Sequence, residues 1–182
     1  MPKAEIKVLH KGNWLALQTI QYPGQSAIEY VTEINGDGDR VAILPFKKDG
    51  NNITFLIREE IIPPWSPKQV PCAITGIMEK DMTPKKVAQM ELLQEGGYDI
   101  PITEFIPLGY VYGLKANDAM QWLYAVDLKG YEPQEAKGDG TYMEKFGKCR
   151  FAFPAEILAI NDAIIHSMFI RLKDMWENMR TF

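Results

Sequence analysis

The chain has 182 residues, 46% of them hydrophobic and 24% charged, with a formal net charge of −4. That length suits one domain with a sizeable core, and the composition is ordinary for a globular protein. An acidic balance excludes a broad nucleic-acid-binding face, which needs clustered Lys and Arg; Lys47–Lys48 and Lys85–Lys86 read as solvated corners. Apolar runs fall well short of the ~20 residues that span a membrane. No charged-then-apolar leader opens the chain, so an intracellular, cytoplasmic protein is expected.

In chain order, the first half reads as β. Ile6–Leu9 and Trp14–Tyr22 flank the hairpin-like turn Lys11-Gly12-Asn13. Ala27–Ile34 alternates and ends in the turn cluster Asn35-Gly36-Asp37-Gly38-Asp39. Val41–Phe46 and Ile53–Arg58 are apolar strands around a second hairpin turn, and Pro63-Pro64-Trp65-Ser66-Pro67 is a stiff loop. Thr83-Pro84 reads as an N-cap followed by proline at the first helical position. Val87, Met90 and Leu93, with Ala88 and Leu92, supply an apolar stripe, and Gly96-Gly97 stops the helix. Phe105–Gly113 and Gln121–Leu128 are further strands, separated by a turn at Lys115-Ala116-Asn117-Asp118. A polar loop, Glu132–Lys148, leads to a short strand at Cys149–Phe153, and Pro154 opens a helical tail to about Met179. Strands, one central helix, more strands and a last helix make an α+β chain.

Cys72 and Cys149 lie far apart without a companion at ligand spacing, so free buried thiols are expected. His10 and His166 have no zinc-binding context. The chemistry points instead to Glu91 and Glu95, one helical turn apart on one face. Such a pair is by itself a common solvated helix face, and it can also be the protein's share of a site for Mg²⁺, whose other positions go to water and phosphate oxygens.

The stretch Gly76–Tyr98, GIMEKDMTPKKVAQMELLQEGGY, resembles the Nudix box, G-x5-E-x7-R-E-U-x-E-E-x-G-U with U a bulky apolar residue. Gly76, Glu91, Leu92, Glu95, Gly97 and Tyr98 match in register, while Met82, Met90 and Gln94 replace a glutamate, the arginine and a second glutamate. Asn13–Leu128 more broadly resembles the ADP-ribose pyrophosphatase branch, with N-terminal hairpins and a strand-loop segment, here Phe55–Pro64, leading to the box. Arg58 is kept in that segment, and Ile61 stands where the branch often has a second arginine.

The resemblance implies a Nudix fold, a mixed sheet between helices, over residues 41–182, after an N-terminal antiparallel β region at 1–40 used for dimerisation and substrate contact. It implies Mg²⁺ or Mn²⁺ held by Glu91, Glu95 and the carbonyl of Thr75. It also implies a general base in Glu132–Lys148, with Glu144 the first choice and Glu135 the second. The implied reaction is hydrolysis of a nucleoside diphosphate linked to another group, ADP-ribose or a related sugar nucleotide first, by a homodimer. Arg58 fits either a phosphate contact or an ion pair with a neighbouring acid. Trp65 and Tyr112 fit either base stacking or loop packing, and Trp14, Trp122 and Trp176 fit packing. Met90 cannot supply the guanidinium that braces a box glutamate, and Gln94 removes a charge. The alternative is a weakened or inactive Nudix-fold protein that binds a nucleotide.

Overall fold

Val41, Ala42, Ile43 and Leu44 are all fully buried, which a strand with one wet face cannot achieve. Their strand, β4 (Arg40–Asp49), is covered on both sides. The structure is a computed structural model and describes residues 3–50, 52–136 and 146–178. Around β4 the remaining strands of a seven-stranded mixed sheet assemble: β5 (Asn52–Ile61), β6 (Gln69–Cys72), β7 (Ile74–Ile77), β8 (Ile106–Tyr112), β9 (Met120–Asp127) and β10 (Lys148–Ala152). The order is β10-β5-β4-β9-β8, with β6 beside β5 and β7 beside β4. β4 and β9 run parallel, and the other pairs are antiparallel.

Helix α1 (Pro84–Gly96) covers one face, packing Val87, Ala88 and Leu92 against Val41, Ile43, Leu56 and Ile74. Helices α2 (Pro154–Ala159) and α3 (Ala163–Asn178) cover the other, with Ile157, Ile165, Met168 and Phe169 against Ala42, Leu44, Phe55 and Ile57. This is the α+β, helix-sandwiched mixed sheet expected of the Nudix fold. A separate antiparallel sheet precedes it, made of β1 (Glu5–Lys11), β2 (Leu15–Gln21) and β3 (Ile28–Glu33). No helix among the described residues is long and apolar enough to cross a membrane.

β4 forks the sheet. Its first half pairs with β7 and its last with β5, so Arg40–Ile43 lie beside Ile74–Ile77 and Phe46–Asp49 beside Asn52–Phe55. The chain crosses this fork at Ala73, between β6 on β5 and β7 on β4. There the Ala73 N–H donates to the Asp162 carboxylate at 2.9 Å.

The same Asp162 corrects one expectation. A single helical tail is expected from Pro154, but the structure breaks it between Ala159 and Ala163. Asp162, only 4% exposed, accepts from the Ile164 N–H at 2.8 Å as a cap does. A carboxylate that caps competes with helix continuation, so the chain restarts as α3.

Candidate functional site

The ends of α1 follow the residues that cap them. Thr83 accepts the Lys86 N–H, Pro84 takes the first position, and Gly97 closes the helix in the left-handed region at φ 76°. A side chain on Gly97 would also meet the Gln134 carbonyl. The caps fix where the helix begins and ends, and the face it buries fixes its rotation and so where the glutamates point. Of the expected stripe, Val87, Ala88 and Leu92 are buried, Met90 is half-buried and Leu93 is exposed. Continued by helical spacing, the buried face runs on through Glu91 and Glu95. Glu91 is half-buried and the Glu95 side chain is 9% exposed. These two carboxylates face inward, toward the sheet.

Gly76 on β7 makes room for the first of them: a Cβ there would stand 2.1 Å from Oε1 of Glu91 and 2.3 Å from its Cδ. Only a glycine lets the Glu91 carboxylate lie against that strand. Thr75 precedes it, paired with Ala42 of β4.

Glu95 meets Arg58 of β5, with Nη1 3.5 Å from Oε1. The same guanidinium donates through Nε to Glu60 at 2.9 Å. Arg58 is 3% exposed. Burial works against its charge, but Glu95 and Glu60 outweigh that and hold its pKa above the usual guanidinium value. Both cysteines flank it in register, Cys72 on β6 and Cys149 on β10. Burial pushes the Cys149 thiol up to about 11, against the lowering effect of Arg58, and raises Cys72 still further. Both are protonated, inert thiols at neutral pH.

A cleft of about 720 Å³ opens over this cluster. Glu60, Glu91 and Glu95 line one wall with carboxylates, beside Thr75, Gly76 and Gln94. Its rim carries Arg40 and Lys80, and Trp14 from the β1–β2 hairpin, 63% exposed. The turn at Asn35–Asp39 builds part of that rim by riding on Met78, with Asp37 N–H donating to the Met78 carbonyl and Met78 N–H to that of Asp39. Arg40 is tied to Glu33 of β3 at 2.7 Å, which joins the small sheet to the rim. The volume matches sites that bury a nucleotide-sized molecule.

Among the described residues, no three His, Cys, Asp or Glu side chains converge tightly enough to hold an ion alone. The donors are all oxygen, with two inward carboxylates beside an open cleft. That set fits a hard cation which takes one or two carboxylates and completes its shell with water and phosphate oxygens, and it does not fit zinc or an all-protein calcium cage.

The structure brings Thr75, Glu91, Glu95 and Arg58 into one cluster, with Arg58 in the ion-paired state. It does not bring Trp65 there: Trp65 lines a separate depression with Arg150, Glu156 and Asn161. Tyr112 lies at a third, beside Leu114 and Asp118. Glu135 is exposed, next to Gln134, whose N–H donates to the Gly97 carbonyl at 2.7 Å. Glu144 lies outside the described residues. Sequence reasoning missed Trp14 as a cleft residue; its place at a hairpin tip, after Gly12-Asn13, was the available signal. Trp122 and Trp176 pack as expected, against Tyr110 at 5.5 Å and Phe46 at 5.0 Å between ring centres.

A solved crystal structure of an ADP compounds hydrolase superposes over 98% of this chain and 95% of that one, with a TM-score of 0.72 and 10% sequence identity. The two chains share a fold. No protein-family model matches the sequence, and no curated protein is significantly similar to it.

Proposed function

We propose that this protein is a Nudix-type hydrolase of nucleoside diphosphates linked to another group, with ADP-ribose or a related sugar nucleotide as the leading substrate. One observation carries the reading: Glu91 and Glu95 lie on the inward face of α1, in a cleft with Thr75, with Gly76 cut away to admit the first carboxylate. The fold shared with an ADP compounds hydrolase supports it.

Glu91, Glu95 and the Thr75 carbonyl would hold Mg²⁺ or Mn²⁺, which neutralises diphosphate oxygens and helps to generate the nucleophile. Arg40 and Lys80 at the rim draw the anionic diphosphate in. Trp14 offers the nucleobase a flat apolar face. Water attacks one phosphorus, and the bond from that phosphorus to the bridging oxygen breaks. For ADP-ribose the products are AMP and ribose 5-phosphate. The carboxylate that takes the water's proton belongs to the 132–148 segment, with Glu144 ahead of Glu135.

Self-association through the small sheet belongs to the same reading. Ile6, Ile20 and Ile28 form one rung across its three strands, and Ile6 and Ile28 are 58% and 60% exposed. A second copy is the occupant that a homodimer would supply; light scattering that returns a monomer refutes this part.

The hydrolase test is release of phosphate from sugar nucleotides in the presence of alkaline phosphatase, which acts on the products and not on the intact diphosphate. Turnover with Mg²⁺ or Mn²⁺ is expected, and Glu95→Gln should abolish it. A second reading, nucleotide binding without hydrolysis, draws on Arg58, which already offsets the charge of Glu95. Nucleotide binding by calorimetry without metal, together with turnover no higher than that of Glu95→Gln, would favour it.

A further inference from the structure

The box position that carries an arginine in the Nudix pattern is Met90 here, and a thioether cannot orient a carboxylate. A guanidinium nevertheless stands beside Glu95, supplied by a different element. Arg58 reaches from the middle of β5 to Glu95 on α1 and to Glu60 two residues along its own strand. It is held on every side: Cys72 and Cys149 stand beside it in register, and a Cβ at Gly147 would fall 2.4 Å from its Nη2. Its planar fork is confined by these neighbours and faces two carboxylates, Glu60 at 2.9 Å and Glu95 at 3.5 Å.

We propose that Arg58 is the positioning residue of this site. From β5 its guanidinium holds the Glu95 carboxylate, with Glu60, in the orientation that accepts a divalent cation, the task that Met90 cannot perform from the helix. This inference rests on the hydrolase reading. Two effects of opposite sign meet here. A positive charge beside Glu95 weakens cation binding by simple repulsion. Without it, however, the Glu95 and Glu60 side chains, 9% and 26% exposed, would lose the cation they share and be free to rotate apart. Taking the guanidinium away from the largely buried Glu95 carboxylate is the costlier change, so loss of Arg58 should loosen the site.

The experiment titrates Mn²⁺ alone by electron paramagnetic resonance into the wild type, Arg58→Met, Arg58→Lys and Gly147→Ala, alongside thermal unfolding and sugar-nucleotide kinetics. Arg58→Met should weaken Mn²⁺ binding by roughly 10–100-fold, the usual range when a partner that orients a metal-binding side chain is lost. Lysine should restore part of that, since a point charge can reach one carboxylate but not bridge two. Gly147→Ala keeps every charge but displaces the guanidinium, and should weaken Mn²⁺ binding as well. In kinetics the loss should fall on kcat, with KM for the nucleotide little changed.

A folded Arg58→Met that binds Mn²⁺ as well as the wild type, or better, overturns the inference, because the guanidinium would then be a bystander or a competitor. So does a Lys variant no better than Met. If Arg58→Met fails to fold, Gly147→Ala decides alone, and wild-type Mn²⁺ affinity in that variant overturns the inference. A wild type that binds no Mn²⁺ removes the hydrolase reading and this inference together, whereas binding by all four proteins alike removes only the role of Arg58.

Discussion

Replacing Gly76 by alanine displaces the Glu91 carboxylate without removing any charged group. Gly76 lies outside the left-handed region, so alanine strains no backbone there. Its Cβ would stand 2.1 Å from Glu91 Oε1 and 2.3 Å from Cδ and Cγ. Ordinary contact begins near 3.4 Å, so the carboxylate arm must retreat by about 1.3 Å. A misplacement of about 1 Å in a reacting array costs on the order of 100-fold in rate, or about 2.7 kcal/mol of barrier. Folding stability should move little: alanine in a strand gains roughly 0.5–1 kcal/mol over glycine, which offsets part of the cost of moving a flexible side chain. The expected result is a folded protein with near-native Tm, turnover down about 100-fold and a raised Mn²⁺ requirement in the phosphatase-coupled assay. Wild-type turnover at the wild-type Mn²⁺ requirement would show that Glu91 does no work where it lies, and would refute the placement of the site.

Trp14→Ala should raise KM for the nucleotide by roughly tenfold with kcat unchanged, in line with one stacked base; Trp65→Ala and Tyr112→Ala should leave both constants alone, and the reverse pattern in steady-state kinetics would move the base to another depression. Asp162→Ala removes a cap and orphans the Ala73 N–H, together about 2–4 kcal/mol, which calorimetry should read as a Tm lower by roughly 4–16 °C. Cys149, with its thiol near 11, should resist iodoacetamide at pH 8 in the folded protein and react quickly once unfolded. Between the unfolded thiol pKa, near 8.5, and 11 the folded chain holds the proton longer, so stability should fall as pH rises through that window. Urea melts of the wild type and Cys149→Ala across that range should diverge, and parallel curves would refute it.

Much of the fold is legible because local chemistry and burial agree. Thr83, Pro84 and Gly97 mark the bounds of α1 almost to the residue. The uninterrupted apolar run at Val41–Phe46 marks the strand that both helical layers cover. Strand β6 escaped notice because Val70-Pro71-Cys72 is short and interrupted by proline, and only its pairing with Arg58–Glu60 makes it a strand. The break before α3 depends on Asp162 finding a partner 89 residues away, which no local pattern contains. At the site, the spacing of Glu91 and Glu95 was readable, but their inward direction was not, since a stripe written through Met90 and Leu93 rotates the helix the wrong way. Nor does spacing say that Arg58 faces Glu95: that contact joins two elements 37 residues apart through the register of β5 with β6 and β10.

The Asp162 carboxylate has one oxygen on the start of α3 and the other on the chain where it crosses from β6 to β7. Thr75 and Gly76, the strand side of the cleft, come two and three residues after that crossing. The shared carboxylate couples the two places, so the opening of α3 and the loosening of the cleft wall should be one cooperative event rather than two. In hydrogen exchange the Ala73 and Ile164 amides should share a single opening free energy. A lesion in the packing of α3, remote from any substrate, would then be felt as lost precision at Glu91.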